Sequence, residues 1–471
     1  MSTGHRMSTA DAAWLHMDRP TNLMVINSVL LFDEQVDLDR LRQTVQRRLV
    51  DRYPRFHQRV VESRLPLLAP SWEDDPDFSL DHHLHHRALP APGDDDTLRE
   101  LIGDMMATPL DRSKPLWSLY LIDNYGSGCA VITRMHHCIA DGIALARVML
   151  SLTDTTRRAG IAGVQPSGGA SEHDGGPLRA IAAPLLDGVA LGRRTGRALV
   201  RQSIDVVTHP RHAGELAGAI ARDASTFVKL VLTPADEASA IKGEPGISRR
   251  VTWTDPLPLN LVKRIARDHG ATVNDVLLAA VSGALRHYLQ ERGGPVPEIQ
   301  ALVPFNLRPL DEPVPRELGN RFGLVFLPLP VGTSGSYRRL LSVRQRMDAI
   351  KSSRDGPVSY GILEAIGMTP VGVEKRIVDM FSGKGTAVMT NVPGPRKTIY
   401  LAGAPVHTVL FWGPTSGHVG MSVAIFSYRG EVTVGLMVDA KLVPDPQTIA
   451  AQLERELQAL AELPPTASAR S

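Results

Sequence analysis

The chain has 471 residues, 43% hydrophobic, 22% charged and 5% aromatic. That is an ordinary globular composition, and the length exceeds what one hydrophobic core serves, so two or three domains are expected. With 52 basic against 50 acidic residues the net charge is +2, which gives no global case for nucleic acid as a partner. Cys129 and Cys138 are the only cysteines, so neither a disulfide framework nor a Cys-based metal site is expected, and a reducing interior is the default. Met1–Trp14 lacks the basic-then-apolar layout of a signal peptide, and no apolar run reaches the roughly 18 residues that span a bilayer. A cytoplasmic protein is expected, peripheral at most to a membrane.

In chain order, Leu23–Phe32 reads as a buried strand and Asp37–Tyr53 as an amphipathic helix. Leu116–Asp123 and Cys129–Met135 read as strands around a Gly-rich turn, and Ile143–Leu152 as a helix that Asp141 is placed to cap. Thr155–Pro177 is rich in Gly, Ser and Arg and reads as a flexible linker. Two helical stretches follow, Leu178–Val207 and His212–Leu232. A second series begins near Val251: helices over Leu259–His269, Val273–Leu289 and Tyr337–Ser352, and strands over Ile299–Phe305 and Leu324–Leu329. Thr386–Thr390, Val406–Trp412, Gly420–Tyr428 and Val432–Val438 complete the strands, and Pro446–Leu463 is the closing helix. This order predicts an α/β protein of two halves, 1–154 and 251–464, with 155–250 as linker and basic helices and 465–471 as a disordered tail. A ligand site is expected between the halves.

The most informative local feature is His136-His137-Cys138-Ile139-Ala140-Asp141-Gly142, at a strand end and just before a helix. A histidine there suits removal of a proton from a hydroxyl or amine attacking an acyl group. Neighbouring strand residues face opposite ways, so one histidine is the base and the other a support. The plain alternative is a pair of strand-end histidines with Asp141 as a simple cap. Zinc is the weaker reading, because adjacent histidines diverge. The chain holds no G-x-S-x-G, Walker loop, G-x-G-x-x-G or C-x-x-C.

His136-His137-x-x-x-Asp141-Gly142 resembles the signature of the CoA-dependent acyltransferase superfamily. The flanks resemble one branch, the bacterial wax ester synthase/acyl-CoA:diacylglycerol acyltransferase family. They are Ser8–Leu15, Arg19–Met24, Leu89–Gly93, Pro109–Arg112, Pro115-Leu116-Trp117, Val273–Val276, Val303–Arg308, Gly319-Asn320, Asn391–Pro395 and Leu442–Pro446. The resemblance implies two chloramphenicol-acetyltransferase-like α/β sandwich domains with an active-site tunnel between them. It implies that His137 is the general base, with His136 supporting, Asp141 holding the loop through an arginine, and Gly142 allowing the tight turn. Asp141's arginine stays open among Arg55, Arg59 and others. Asn274, Asp275, Thr390 and Asn391 are candidates for site support, with Asn274 and the Thr390-Asn391 pair weighed as oxyanion donors. No cofactor or metal is implied. Acyl-CoA is the donor substrate, and diacylglycerol or a long-chain alcohol the acceptor, met at an inner-membrane or lipid-droplet surface. Ser118, Phe305-Asn306 and His57 depart from the family pattern and bear on substrate range.

Two other readings stay open: a condensation-type acyltransferase using carrier-protein-bound substrates, and a non-catalytic lipid-binding protein on the same scaffold. The run Asp81–His86 reads as an exposed strand edge before it reads as a metal site through His83 and His85. The basic stretch Arg193–Arg201 is either a solvated helix face or a surface for anionic lipid.

Overall fold

The computed structural model of the protein describes residues 5–63, 68–158, 233–306, 314–351, 359 and 371–465. The expected helices over Leu178–Val207 and His212–Leu232, the basic stretch Arg193–Arg201 and nearly all of the expected tail lie outside the described residues.

Each half is built on one large sheet. The first has five strands in the order Thr408–Trp412, Val25–Phe32, Gly128–His136, Trp117–Tyr125 and Leu84–Ala88. All its pairs are antiparallel except the last. Gly128–His136 is central and buried on both faces, which matches its apolar run Cys129–Ile132. The second sheet has seven strands. Six run Phe322–Leu329, Ile299–Asn306, Ala387–Pro393, Met421–Tyr428, Glu431–Asp439, Arg249–Trp253, with Leu257–Pro258 paired beside Glu431–Asp439. The nearly all-buried helix Val273–Glu291 forms the heart of the second core.

The two halves are not closed segments, which corrects the sequence-based boundaries. Thr408–Trp412, from the second half, is the edge strand of the first sheet, registered from Thr408 on Leu31 to Trp412 on Asn27. The second half also begins before 251. Ile241 is buried in its core, and the Asp236 carboxylate accepts from Gln300 N at 2.9 Å and Thr386 Oγ1 at 2.6 Å. The expected helix Asp37–Tyr53 is α-helical over Leu38–Val45, widens to a π turn at Gln46–Val50, and the chain turns again at Pro54, whose ring cannot continue it.

A helix not among the expected elements, Asp95–Ala107, is capped by Asp94 and buries Leu98, Ile102 and Met106, spaced four residues apart. It docks on the strand Arg249–Trp253 of the other half at Gly103, where an added Cβ would sit 2.6 Å from the Arg249 carbonyl oxygen. Gly103→Val should therefore force the helix off the strand and destabilise the protein by about 1–3 kcal/mol, read as a lowered thermal midpoint.

Candidate active site

The motif strand Gly128–His136 ends at the boundary between the halves. His136 N donates to Leu116 O at 2.9 Å and His137 N to Met24 O at 2.7 Å, which pins the strand end on both sides. The loop then turns, with Ile139 N donating to His136 O, and Asp141 caps the helix Gly142–Ser151 by accepting from Ala144 N at 2.8 Å.

A segment of the second half runs beside this loop. Gly319 N donates to Ile139 O at 3.0 Å, and the other Asp141 oxygen accepts from Arg321 N at 3.2 Å. Gly319 has φ +95, a conformation that a residue with a Cβ adopts only under strain, and it turns Asn320 towards His137. The resemblance implied an arginine for Asp141; the contact with Arg321 is made by its backbone. Arg55 instead lies over Trp72 at 4.5 Å and donates to Gln58, and Arg59 lies in the strand Gln58–Val61, paired with Glu73.

Asn320 fixes the chemistry of His137. Its Nδ2 donates to Asp11 Oδ1 at 2.8 Å and to His137 O at 2.8 Å, and its backbone N also donates to Asp11 Oδ1. The amide oxygen is therefore the atom 2.9 Å from His137 Nδ1, so Nδ1 carries the proton. His137 Nε2 is left with its lone pair and no hydrogen bond among the described residues. Trp14 stacks on the ring at 4.1 Å, and Phe322 lies at 5.3 Å on a tilted plane. Burial pushes the His137 imidazole down to about 3, helped by the neighbouring His136 and opposed by its own backbone and the Asn320 bond. The ring is therefore neutral across the working range. Burial also raises the Asp11 carboxyl, against the hydrogen bonds from Asn320 and Ser8 and the charge of Arg55.

His136 turns the other way. Its Nδ1 accepts from Cys138 N at 3.1 Å, and its Nε2 lies 3.7 Å from Asp18 Oδ2, beyond hydrogen-bond reach. Burial raises the Asp18 carboxyl, but His136, Met24 N and Arg112 outweigh that and hold it below the usual range. Cys138, which follows them, is buried, and burial raises its thiol far above the ordinary value, so it holds no thiolate nucleophile.

The second-half candidates divide by the face they occupy. In the strand Ala387–Pro393, Met389 belongs with Val423 and Ile425 of the second core, and Asn391 reaches the same side to donate to Asn274 at 2.9 Å. Asp275 forms a capping box with Thr272 at the start of Val273–Glu291. Thr390 and Val392 point the opposite way, beside Ala424 and Phe426 of the first core. Thr390 Oγ1 is buried and has no partner among the described residues. Thr390 thus faces the motif half, and Asn274, Asp275 and Asn391 face away from it.

Among the described residues no group of His, Cys, Asp and Glu is arranged to hold a metal. The strand-edge reading of Asp81–His86 needs one correction. His83 is buried, stacked between Phe78 and Trp117 with Nδ1 at 2.8 Å from Trp117 O. His85 stacks on Tyr120, and His86 Nε2 lies 2.6 Å from Asp123.

The family model for the wax ester synthase/diacylglycerol acyltransferase catalytic domain matches residues 7–277, and that for the WS/DGAT C-terminal domain matches 318–461. The chain belongs to this family. It is an acyltransferase. A probable diacylglycerol O-acyltransferase of Mycobacterium tuberculosis is 29% identical over 96% of this chain and 94% of the relative. A second, putative diacylglycerol O-acyltransferase of that species is 28% identical over 97% and 90%. Among solved structures, the wax ester synthase/diacylglycerol acyltransferase from Marinobacter aquaeolei VT8 has a TM-score of 0.67 at 21% identity, covering 98% of this chain and 100% of that one. The first condensation domain of the CDA synthetase has a TM-score of 0.60 at 17% identity, covering 98% and 96%. At these identities the likeness is one of fold, and it agrees with the expected two-domain α/β architecture.

The residues that orient His137 in this acyltransferase all lie in stretches that carried the resemblance. Asp11 and Trp14 sit in Ser8–Leu15, and Asn320 in Gly319-Asn320. Their identity was visible in the sequence and their roles were not.

Replacing Asn320 by Leu removes the acceptor that sets the tautomer. Against the roughly 10²–10⁴ that an oriented base contributes, kcat/KM should fall at least about tenfold with the fold intact. Asn320→Asp places a carboxylate on Nδ1 and should raise the His137 pKa. The acid limb of kcat/KM, expected below about pH 5 in the wild type, should then move upward. Stability carries the same signature. The unfolded histidine, near 6.5, takes its proton before the native one, near 3. This contribution is therefore intact above about pH 6.5 and is lost as pH falls towards 3, and His137→Gln should flatten that part of the unfolding profile.

Proposed function

We propose that this chain transfers a long-chain acyl group directly from acyl-CoA to the hydroxyl of diacylglycerol or a long-chain alcohol. The observation that carries this reading is the neutral His137 ring, its Nδ1 proton held by Asn320 and its Nε2 lone pair uncommitted. Nε2 takes the acceptor's proton as the acceptor oxygen attacks the thioester carbonyl. The imidazolium charge is balanced through the Asn320 amide, whose other end donates to the Asp11 carboxylate. As the C–S bond breaks, the same proton passes to the departing thiolate. The transfer is direct because the motif offers no usable covalent nucleophile, Cys138 being buried and protonated.

The oxyanion of the tetrahedral intermediate needs a donor. Thr390 is our choice over Asn274 and Asn391, because its unpartnered hydroxyl is on the face towards the motif half. His136 and Asp141 act by holding the loop. No helix among the described residues is long and apolar enough to cross a membrane. Acceptors of this kind reside in lipid, and we propose that the protein meets them at a membrane or droplet surface.

Purified protein supplied with labelled palmitoyl-CoA and either dioleoylglycerol or hexadecanol should release CoA and form neutral lipid. His137→Ala should lose about 10²-fold or more. Undiminished turnover in that variant sinks the base assignment, and absence of product with both acceptors sinks the substrate assignment. Thr390→Val should lower kcat by about 10²–10³ with little change in KM, and a change confined to KM would remove Thr390 from the oxyanion site.

A further inference from the structure

A narrow cavity lies between one face of the first sheet and the helix Gly142–Ser151 that follows the motif. Its floor is laid by register. Ile26 sits beside Met135, and Ser28 beside Thr133, on adjacent strands. Its roof is Leu145, Ala146 and Met149 of the helix. Gly142, the last residue of the motif, lies at its wall, where an added Cβ would meet only Ile26 Cδ1, at 3.9 Å. The cavity therefore reaches the last residue of the motif, and its largely apolar walls suit an aliphatic chain.

The pair Ser28 and Thr133 breaks that pattern. Thr133 is 2% exposed, lines the cavity, and its Oγ1 has no hydrogen-bond partner among the described residues. Valine would fill the same space without leaving a hydroxyl dry, so the oxygen calls for a partner, either a water or a ligand atom. Thr133 stands three residues before His136 on the strand, roughly 10 Å from the motif at 3.3 Å per residue. A chain whose carbonyl is held at His137 and whose tail enters at Gly142 would bring its middle past these hydroxyls.

We propose that this cavity receives the acyl chain being transferred, and that Ser28 and Thr133 bind an oxygen carried in mid-chain. Hydroxylated long-chain acyl-CoA would then be preferred donors. The assignment rests on the acyltransferase reading for its kinetics, and its test is built to separate the two.

Binding is measured first, by titrating the full chain with octadecanoic acid and with 10-hydroxyoctadecanoic acid. The hydroxy acid should bind roughly 3- to 10-fold tighter, the range of one added neutral hydrogen bond. Thr133→Val, which keeps the shape, should erase the difference by weakening the hydroxy acid and leaving octadecanoic acid within twofold. Equal binding of the two acids by the wild type, or a preference that survives Thr133→Val, overturns the mid-chain oxygen site. Ala146→Phe fills the roof of the cavity. It should weaken both long acids at least tenfold, and cut turnover of octadecanoyl-CoA while sparing butanoyl-CoA. An unchanged chain-length profile in Ala146→Phe overturns the cavity as the acyl slot. If the wild type binds with the expected preference and turns over no acyl-CoA, the slot stands and the acyltransferase reading falls.

Discussion

The site depends on one hydrogen bond, from Nδ1 of His137 to the side-chain oxygen of Asn320, formed across 183 positions of sequence. A histidine this deeply buried has lost the water that would stabilise its charged form. It is neutral by default, and which nitrogen keeps the proton is decided by its partner. Asn320 can accept on one side only because its amide nitrogen is committed to Asp11 and to the His137 carbonyl. Three residues from the first helix, the motif loop and the second half therefore define one lone pair. An amide between imidazole and carboxylate transmits less charge than a direct ion pair, which keeps the ring from protonating at rest while still favouring the imidazolium once a proton arrives.

The same boundary is secured by independent contacts. Asp141 ties the helix cap to the Arg321 backbone, and Gly319 is bonded to the loop beside it. Farther along, Arg249 forms an ion pair with Asp439 at 2.6 Å, both buried, and its other nitrogen bonds to the Thr21 carbonyl of the first half. Such a pair is weak evidence for added stability, because two charges leave water to make it, but its geometry admits one alignment of the halves. Within the second half itself, buried Lys242 donates to the carbonyls of Ser382 and Gly385. Precision at the seam is thus obtained from directional polar contacts, and the apolar cores on either side supply the bulk of the burial.

What could be read in the sequence was what is local. His136, His137, Asp141 and Gly142 fall within seven residues, so strand alternation and capping rules pointed to one base, one support and a capping Asp141, and the resemblance named His137 as the base. The helix Val273–Glu291 was expected, over Val273–Leu289, and its Thr272–Asp275 capping box is local too. Asn320 and Asp11 were not assignable, since their contacts span hundreds of residues and nothing in either stretch states which loop it will meet. The choice between Thr390 and Asn391 needed the register of Ala387–Pro393 on Met421–Tyr428, because adjacent strand residues differ only in the face they occupy. The placement of Thr408–Trp412 in the first sheet was equally hidden, as a buried strand looks the same wherever it pairs. Arg55 lies near the motif in the fold, but stacking on Trp72 competes for it, and no spacing rule anticipates that.

That edge strand has a mechanical consequence. Five residues of the second half are laced rung by rung to Val25–Phe32, the strand whose neighbour carries the histidines. Swinging the halves apart like a clamshell would mean unzipping a β-ladder in the middle of a core. The molecule is buckled shut around its site, so bulky water-insoluble reactants and products have to thread in and out along its length. Turnover in such a design is governed by the bore and lining of its passages more than by any opening of its jaws.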